Sequence, residues 1–540
     1  MIDMISLKKI TFIFIFFIGV STGYIWANES PGLPVIHIIV PESPFVYREL
    51  WQSGSISITD IFNEEPVSIR GRGNSTWLFG EQKRPLRFRL ETPQKLFGST
   101  YAHRDWILLA NLFDHSLMRN HAAFHLAASM NMSFAPSSTF VHLYVNGEYM
   151  GVYQVTDERS VSPGRVDIER HEIPELSGFF LEINSTADED GILNETFVEV
   201  NRKLYDIRFP AGQALTPEHA AYVAGYIKEI NRLIRERDFD TLSTLIDIPS
   251  FVDFYIIQEF LKDADGYERS IFMYISGVGE NRRLRKGPVW DFDGAAASDV
   301  LTELDMFYIA PEGLYIAIFQ EWYRFLILIP EFYELTADRW REVSRYILPN
   351  TLENMYEISR IYRADFIRNF DRHPIPRRGT AQEAFDTGQE DFINWLMARA
   401  AWLDDFFSSE TIPADFWQPA YRYFSNPEQK VGLIMESEYI ALDFPVIILN
   451  STSLLPLSEI ERIFGLTAIN EENRVSAYNG SEVVFSHTYG ATFFEINGEY
   501  HDILVPPDAF GELFLPVRHI AEALGFEVDW EPENRNTVIF

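Results

Sequence analysis

The chain has 540 residues, 46% hydrophobic and 15% aromatic, which is too long for one core and too apolar for global disorder. Its formal net charge of −34 repels nucleic acid and anionic lipid, so a polyanion can bind only where basic residues gather locally. It has no cysteine, which excludes disulfides, thiolate catalysis and Cys-ligated metal centres.

Lys8 and Lys9 precede an apolar run from Ile10 to Val20, and small residues then lead to Ala27. Residues 1–28 therefore read as an export signal, either cleaved or kept as an N-terminal anchor. No later stretch is long and apolar enough to span a bilayer, and an exported chain without cysteine suits a Gram-positive-like envelope. From Pro34 onward the pattern predicts short strands: VIHIIV, SISITDIF and VSIRGRG.

The next segment gathers Arg70, Arg72, Lys83, Arg84, Arg87 and Arg89. Strand alternation puts Leu86, Phe88 and Leu90 on one face and Arg87 and Arg89 on the other. Gly71 and Gly73 would let the backbone approach a phosphate closely, although GRGNST lacks the last glycine of a G-x-G-x-x-G loop. A solvated basic strand face is the competing reading of the whole stretch.

DWILLANLFDHSLMRNHAAFHLAASM reads as a strand turning into a helix, with Asp114 or His115 as cap. Arg119 then falls in the first turn, where the helix dipole disfavours a cation, so it calls for a partner carboxylate or phosphate. FVHLYVNGEYMGVYQV is a hairpin turned at Asn146-Gly147. Thr216-Pro217 opens an amphipathic helix, and PSFVDFYIIQEFL forms a second, buried one.

That second helix delivers the chain to KDADGYERSIFMYISGVGENRRLRKGPVWDFDGA. SIFMYI and GPVWDF read as the two strands of a hairpin joined by a basic turn, which would bring Asp265 together with Asp291 and Asp293. Converging carboxylates with all-oxygen ligation suit Mg²⁺, and Mg²⁺ in turn suits phosphate. The plainer reading is a turn at Asp265-Gly266 and a strand end at Asp291.

Residues 314–407 read as helices broken at Pro330, Pro349 and Pro374–Pro376. The fold class is thus α+β and two-lobed, with a β-rich lobe followed by a helical one. Residues 409–430 read as a linker. In 431–540, LLPLSEIERIFGL and FLPVRHIAEALGF repeat sixty positions apart as a proline turn, a helix and a closing glycine, predicting a small non-catalytic α/β module.

Taken in order, IRGRGNSTW, KRPLRFRL, DWILLAN, SLMRN, LYVNGEYMGVYQVTDE, DADGYERSIFMY and GPVWDFDGA resemble the CotH (spore-coat protein H-like) atypical protein kinases, within residues 34–408. Residues 431–540 are similar to the copper amine oxidase N-terminal (stalk) domain. The resemblance implies a compact kinase-like fold using ATP with Mg²⁺, or Mn²⁺ in its place. It implies Asp265 as catalytic base, Asp291 and Asp293 at the metal, and Lys83, with Arg84 and Arg87 as rivals, on the α/β-phosphates. Arg72, Gly73, Asn74 and Ser75 would cover the phosphates, and the backbone running to Asp157 and Glu158 would meet adenine.

Two features depart from an ordinary protein kinase: no H-R-D triplet precedes Asp265, and Ser270 stands where a metal-binding Asn would. The implied activity is phosphorylation of Ser/Thr on a coat or cell-surface protein by an exported enzyme. The alternatives are a non-catalytic coat or surface component, and a glycan hydrolase using Asp265 and Asp291 as a carboxylate pair.

Overall fold

The strands predicted near the N-terminus close on themselves. The computed structural model describes residues 32–41, 46–73, 75–184, 187, 194–201, 203–298, 309–413, 416, 431–435, 437–444, 446–449, 452–471, 474–488, 491, 493–504, 513–531 and 536–540. The export signal at 1–28 and most of the linker at 409–430 lie outside the described residues.

Seven strands form a barrel: β1 (Val35–Ile39), β2 (Gln52–Ile58), β3 (Phe62–Gly71), β4 (Leu86–Gln94), β5 (His103–Leu109), β6 (Thr139–Val145) and β7 (Glu148–Asp157). Their order is β1-β2-β3-β4-β5-β7-β6, closed by parallel pairing of β1 with β6. The alternation along β4 holds, since Leu86, Phe88 and Leu90 are buried in the barrel core beside Ile69, Trp106 and Tyr153. The β6–β7 turn is as predicted, with Asn146 and Gly147 both at positive φ.

Two helices interrupt the strand succession: α1 (Ser75–Phe79) between β3 and β4, and α2 (Arg119–Ser129) between β5 and β6. Neither Asp114 nor His115 is the cap residue of α2. The helix begins later, and Asp114 reaches it from outside by accepting the Arg119 backbone N–H at 2.7 Å.

A second sheet follows, built from β8 (Phe179–Ile183), β9 (Phe197–Val200), β10 (Lys203–Phe209), β11 (Ile271–Ser276) and β12 (Arg283–Lys286), in the order β12-β11-β8-β10-β9. Two helices pack into the same apolar core as this sheet: α3 (Pro217–Glu236), capped by Thr216, and α4 (Ile248–Leu261), capped by Asp247.

The hairpin from Lys262 to Gly294 exists, but its second strand is not GPVWDF. Met273 pairs with Lys286 and Ser276 with Arg283, so the ladder runs through the basic segment predicted as turn. Pro288 has no N–H for a ladder, and the pairing stops before it. Lys286 points inward, where burial drives its pKa far down, and its ammonium lies 4.6 Å from the Trp322 ring centroid and 5.5 Å from that of Phe251.

The helical half contains α5 (Glu321–Leu326), α6 (Pro330–Glu342), α7 (Leu348–Ile361), α8 (Arg363–Arg372) and α9 (Ala381–Phe406). Pro330 opens α6 as its first residue, the place proline tolerates best.

In the C-terminal region the repeat is structural. β13 (Thr452–Pro456) leads into α10 (Leu457–Phe464), and β14 (Phe514–Pro516) leads into α11 (Val517–Ala523). The two repeat strands pair antiparallel, Leu454 opposite Pro516 and Pro456 opposite Phe514. This region also meets α3 and α5: Arg235 of α3 and Arg324 of α5 each donate at 2.5 Å, to the Ile503 and Leu504 carbonyls respectively. Among the described residues no helix is long and apolar enough to cross a membrane.

Candidate active site

The α4 helix ends at Lys262, whose left-handed backbone turns the chain sharply into Asp263–Gly266. The N–H groups of Glu268 and Arg269 return to the Asp265 carbonyl at 3.1 and 2.9 Å, giving a tight turn that presents the Asp265 side chain outward. Asp263 is buried beneath it, and its Oδ1 accepts the Asp265 N–H at 3.4 Å.

After β12 the chain returns through Trp290, and Asp291 adopts a left-handed conformation (φ 70°). Ser270, also left-handed, donates its hydroxyl to Asp291 Oδ2 at 3.1 Å. The residue standing where the resemblance would put a metal-binding Asn therefore ties the Asp265 turn to Asp291 directly. The predicted convergence of the two ends occurs, although only part of the connection is strand.

The loop carrying Asp293 is held from α2. The Phe292 N–H donates to Asn120 Oδ1 at 2.9 Å, and the Arg119 guanidinium donates to the Ala295 carbonyl at 2.8 Å and the Ala296 carbonyl at 3.3 Å. The same guanidinium meets Asp114 at 2.5 Å, so the partner Arg119 calls for is a carboxylate. In the sequence Asn120 carries no signal beyond its place in the SLMRN motif.

The acidic groups repel one another. Burial raises the Asp293 carboxyl well above the usual range, and Asp291, Asp114 and Asp265 add to the shift. Asp263 moves the same way for the same reasons. Asp265 is exposed as a residue, yet burial of its carboxyl among neighbouring groups, together with Asp291, raises it to about 6.

Two cations face this cluster with no hydrogen-bond or ion-pair partner among the described residues. Lys83 is only 2% exposed, and burial lowers its ammonium to about 7, opposed by the attraction of Asp114. Its ammonium lies 5.3 Å from the Tyr153 ring centroid. Arg72 lies 5.6 Å from the Trp290 ring centroid and acts against the rise of Asp293. Neither side chain makes a hydrogen bond or ion pair among the described residues.

The other expected residues are placed as follows. Gly73 has φ +84°, and a Cβ at Gly71 would come within 2.0 Å of the Trp77 ring, so both glycines are required by the backbone at the entry to α1. Asn74 lies outside the described residues; Ser75 begins α1, and its side chain is likewise outside them. Arg84 stacks on Trp77 at 4.6 Å. Arg87 pairs with Asp105 at 2.9 Å and with Glu158 at 3.3 Å. Asp157 accepts from Arg165 and from the Ser137 N–H, so Asp157 and Glu158 have their carboxylates engaged and leave only backbone to a ligand.

Among the described residues no three His, Asp or Glu side chains stand together as a ready metal site. The donors still fit Mg²⁺, because that ion commonly takes one or two carboxylates and completes its shell with water and substrate phosphate. The mutual repulsion within the acidic cluster is what a divalent cation would relieve.

Compared with known families, residues 69–403 match the model of the CotH kinase protein family, and residues 434–540 match the copper amine oxidase N-terminal domain. No curated protein matches the chain.

Proposed function

The chain belongs to the CotH kinase protein family, and from that membership we propose that it is an exported, Mg²⁺-dependent protein kinase acting on Ser/Thr of a coat or cell-surface protein. One observation carries this reading. In a chain of net charge −34, Lys83 and Arg72 make no hydrogen bond or ion pair among the described residues, beside a cluster of acids that repel one another. Unpaired cations next to crowded carboxylates suit a ligand that brings its own negative charge and a divalent metal. A glycan hydrolase has no use for these cations.

In the proposed reaction Lys83 and Arg72 bind the nucleotide phosphates, and the backbone from Val155 to Glu158 meets the base. Asp291 and Asp293 would hold Mg²⁺, which when bound offsets charge on the β- and γ-phosphates. Asp265 orients the acceptor hydroxyl and takes its proton as the oxygen bonds to the γ-phosphorus, while the bond to the β-phosphate oxygen breaks and ADP leaves. A carboxyl with pKa about 6 is mostly ionised above neutrality and is a stronger base than an ordinary aspartate.

The C-terminal module, from about residue 431, is proposed as a non-catalytic attachment. The alternative is a non-catalytic coat or surface component. Incubation with labelled ATP and Mg²⁺, followed for transfer to the protein itself or to a generic acceptor, separates the two.

A further inference from the structure

Arg159 lies just beyond β7, and nothing in the proposed reaction uses it. Its guanidinium is 4.5 Å from the ring centroid of Trp290 and 4.7 Å from that of Phe272. Trp290 precedes Asp291, and Phe272 lies in the strand that follows the Asp265 turn, so the arginine bridges both segments of the candidate site. Among the described residues its side chain makes no hydrogen bond and no ion pair.

The acids near enough to attract it are engaged elsewhere. Glu158 pairs with Arg87, and Glu182 accepts from Arg208, which also holds Asp206 at 2.8 Å. Arg72 stands over the same Trp290 ring, so two guanidiniums share one aromatic surface. Two like charges so placed repel, and among the described residues neither is held in an ion pair or hydrogen bond by an acid of the protein, although Glu158 and Glu182 lie near enough to attract Arg159 and Asp293 to attract Arg72. Aromatic contacts fix a guanidinium while leaving its N–H edge able to grip a tetrahedral oxyanion with two parallel bonds.

We infer that Arg159 and Arg72 together form a binding site for the phosphate oxygens of a nucleotide's polyphosphate chain, with Trp290 and Phe272 setting the plane of the Arg159 guanidinium. This deepens the kinase reading and rests on it for the identity of the ligand, while the anion site can be measured without any nucleotide.

The test titrates the full chain and its Arg159→Gln and Arg159→Lys variants with tripolyphosphate, ATP, adenosine and a phosphoserine peptide by calorimetry. Arg159→Gln is expected to weaken tripolyphosphate and ATP at least about tenfold and to leave adenosine unchanged, since the paired charge-assisted bonds are lost. Arg159→Lys keeps the charge without the fork and is expected to fall between. Should Arg159→Gln fail to fold, Arg159→Lys decides alone, with a loss of about threefold or more expected. Equal tripolyphosphate affinity in variant and parent overturns the inference. So does a loss confined to adenosine or to the phosphopeptide, or a parent that does not bind tripolyphosphate. A parent that binds tripolyphosphate through Arg159 but does not bind ATP upholds the anion site and overturns the kinase reading instead.

Discussion

Replacing Lys83 with methionine should change both how many protons accompany nucleotide binding and how stable the free protein is. Burial holds the Lys83 ammonium at about 7, against an ordinary value of 10.5. At pH 8 such a group is protonated in roughly a tenth of molecules, and polyphosphate placed against it would restore the charge. Binding of metal-free ATP at pH 8 should therefore take up about 0.9 proton per site, and far less at pH 6, where the group is already charged.

Calorimetry in two buffers of different ionisation enthalpy reads this number directly, and leaving out Mg²⁺ keeps carboxylate deprotonation from masking it. Lys83→Met should abolish the uptake and weaken binding. The stability effect has a definite sign. Because the folded pKa lies below the unfolded one, the folded protein holds fewer protons between about pH 7 and 10.5, and its stability rises with pH through that window. Methionine removes the burial penalty, so the free variant should be more stable at pH 8 by on the order of 3 kcal/mol. An unchanged proton count in Lys83→Met, or a free variant less stable than the parent, would refute the placement of Lys83 as an uncompensated buried cation awaiting phosphate.

Two further outcomes follow from buried arginines. Arg119→Ala leaves Asp114 buried without its ion-pair partner and frees the Ala295 and Ala296 carbonyls, so thermal unfolding should show a loss of about 3–5 kcal/mol, and an unaltered transition would contradict that. Truncation after Ser408 removes the carbonyls that Arg235 and Arg324 hold, at about 1–3 kcal/mol for each buried donor left unpaired, so the shortened protein should still bind ATP but melt earlier; coincident transitions would show that the module contributes nothing to the fold.

The features legible in the sequence were those set by local period and turn chemistry. Alternation along Leu86–Leu90 put the right residues into the barrel, Asn146-Gly147 marked its turn, and the awkward position of Arg119 revealed that a partner had to exist. The partners themselves were not legible, because contact between distant segments leaves no periodic trace. Phe292 leans on Asn120 across more than 170 residues of chain, and Arg159 stacks on rings contributed by Phe272 and Trp290. The polar, basic character of Arg283–Lys286 suggests a turn, whereas the segment is a strand and Trp322 and Phe251 enclose Lys286 from helices elsewhere in the chain.

In the proposed reaction Asp265 and Asp291 do different work on one phosphoryl group. Parent, Asp265→Asn and Asp291→Asn should be compared for Mg-ATP affinity by calorimetry and for transfer of labelled phosphate between pH 5 and 8. Parental transfer should fall as pH drops through about 6, where the Asp265 carboxyl takes up its proton. Asp265→Asn should keep most of its nucleotide affinity and lose transfer by on the order of 10²-fold or more. Asp291→Asn should lose Mg²⁺-dependent affinity and transfer together. Variants that both bind and transfer like the parent would contradict the account and leave a non-catalytic coat or surface protein as the reading.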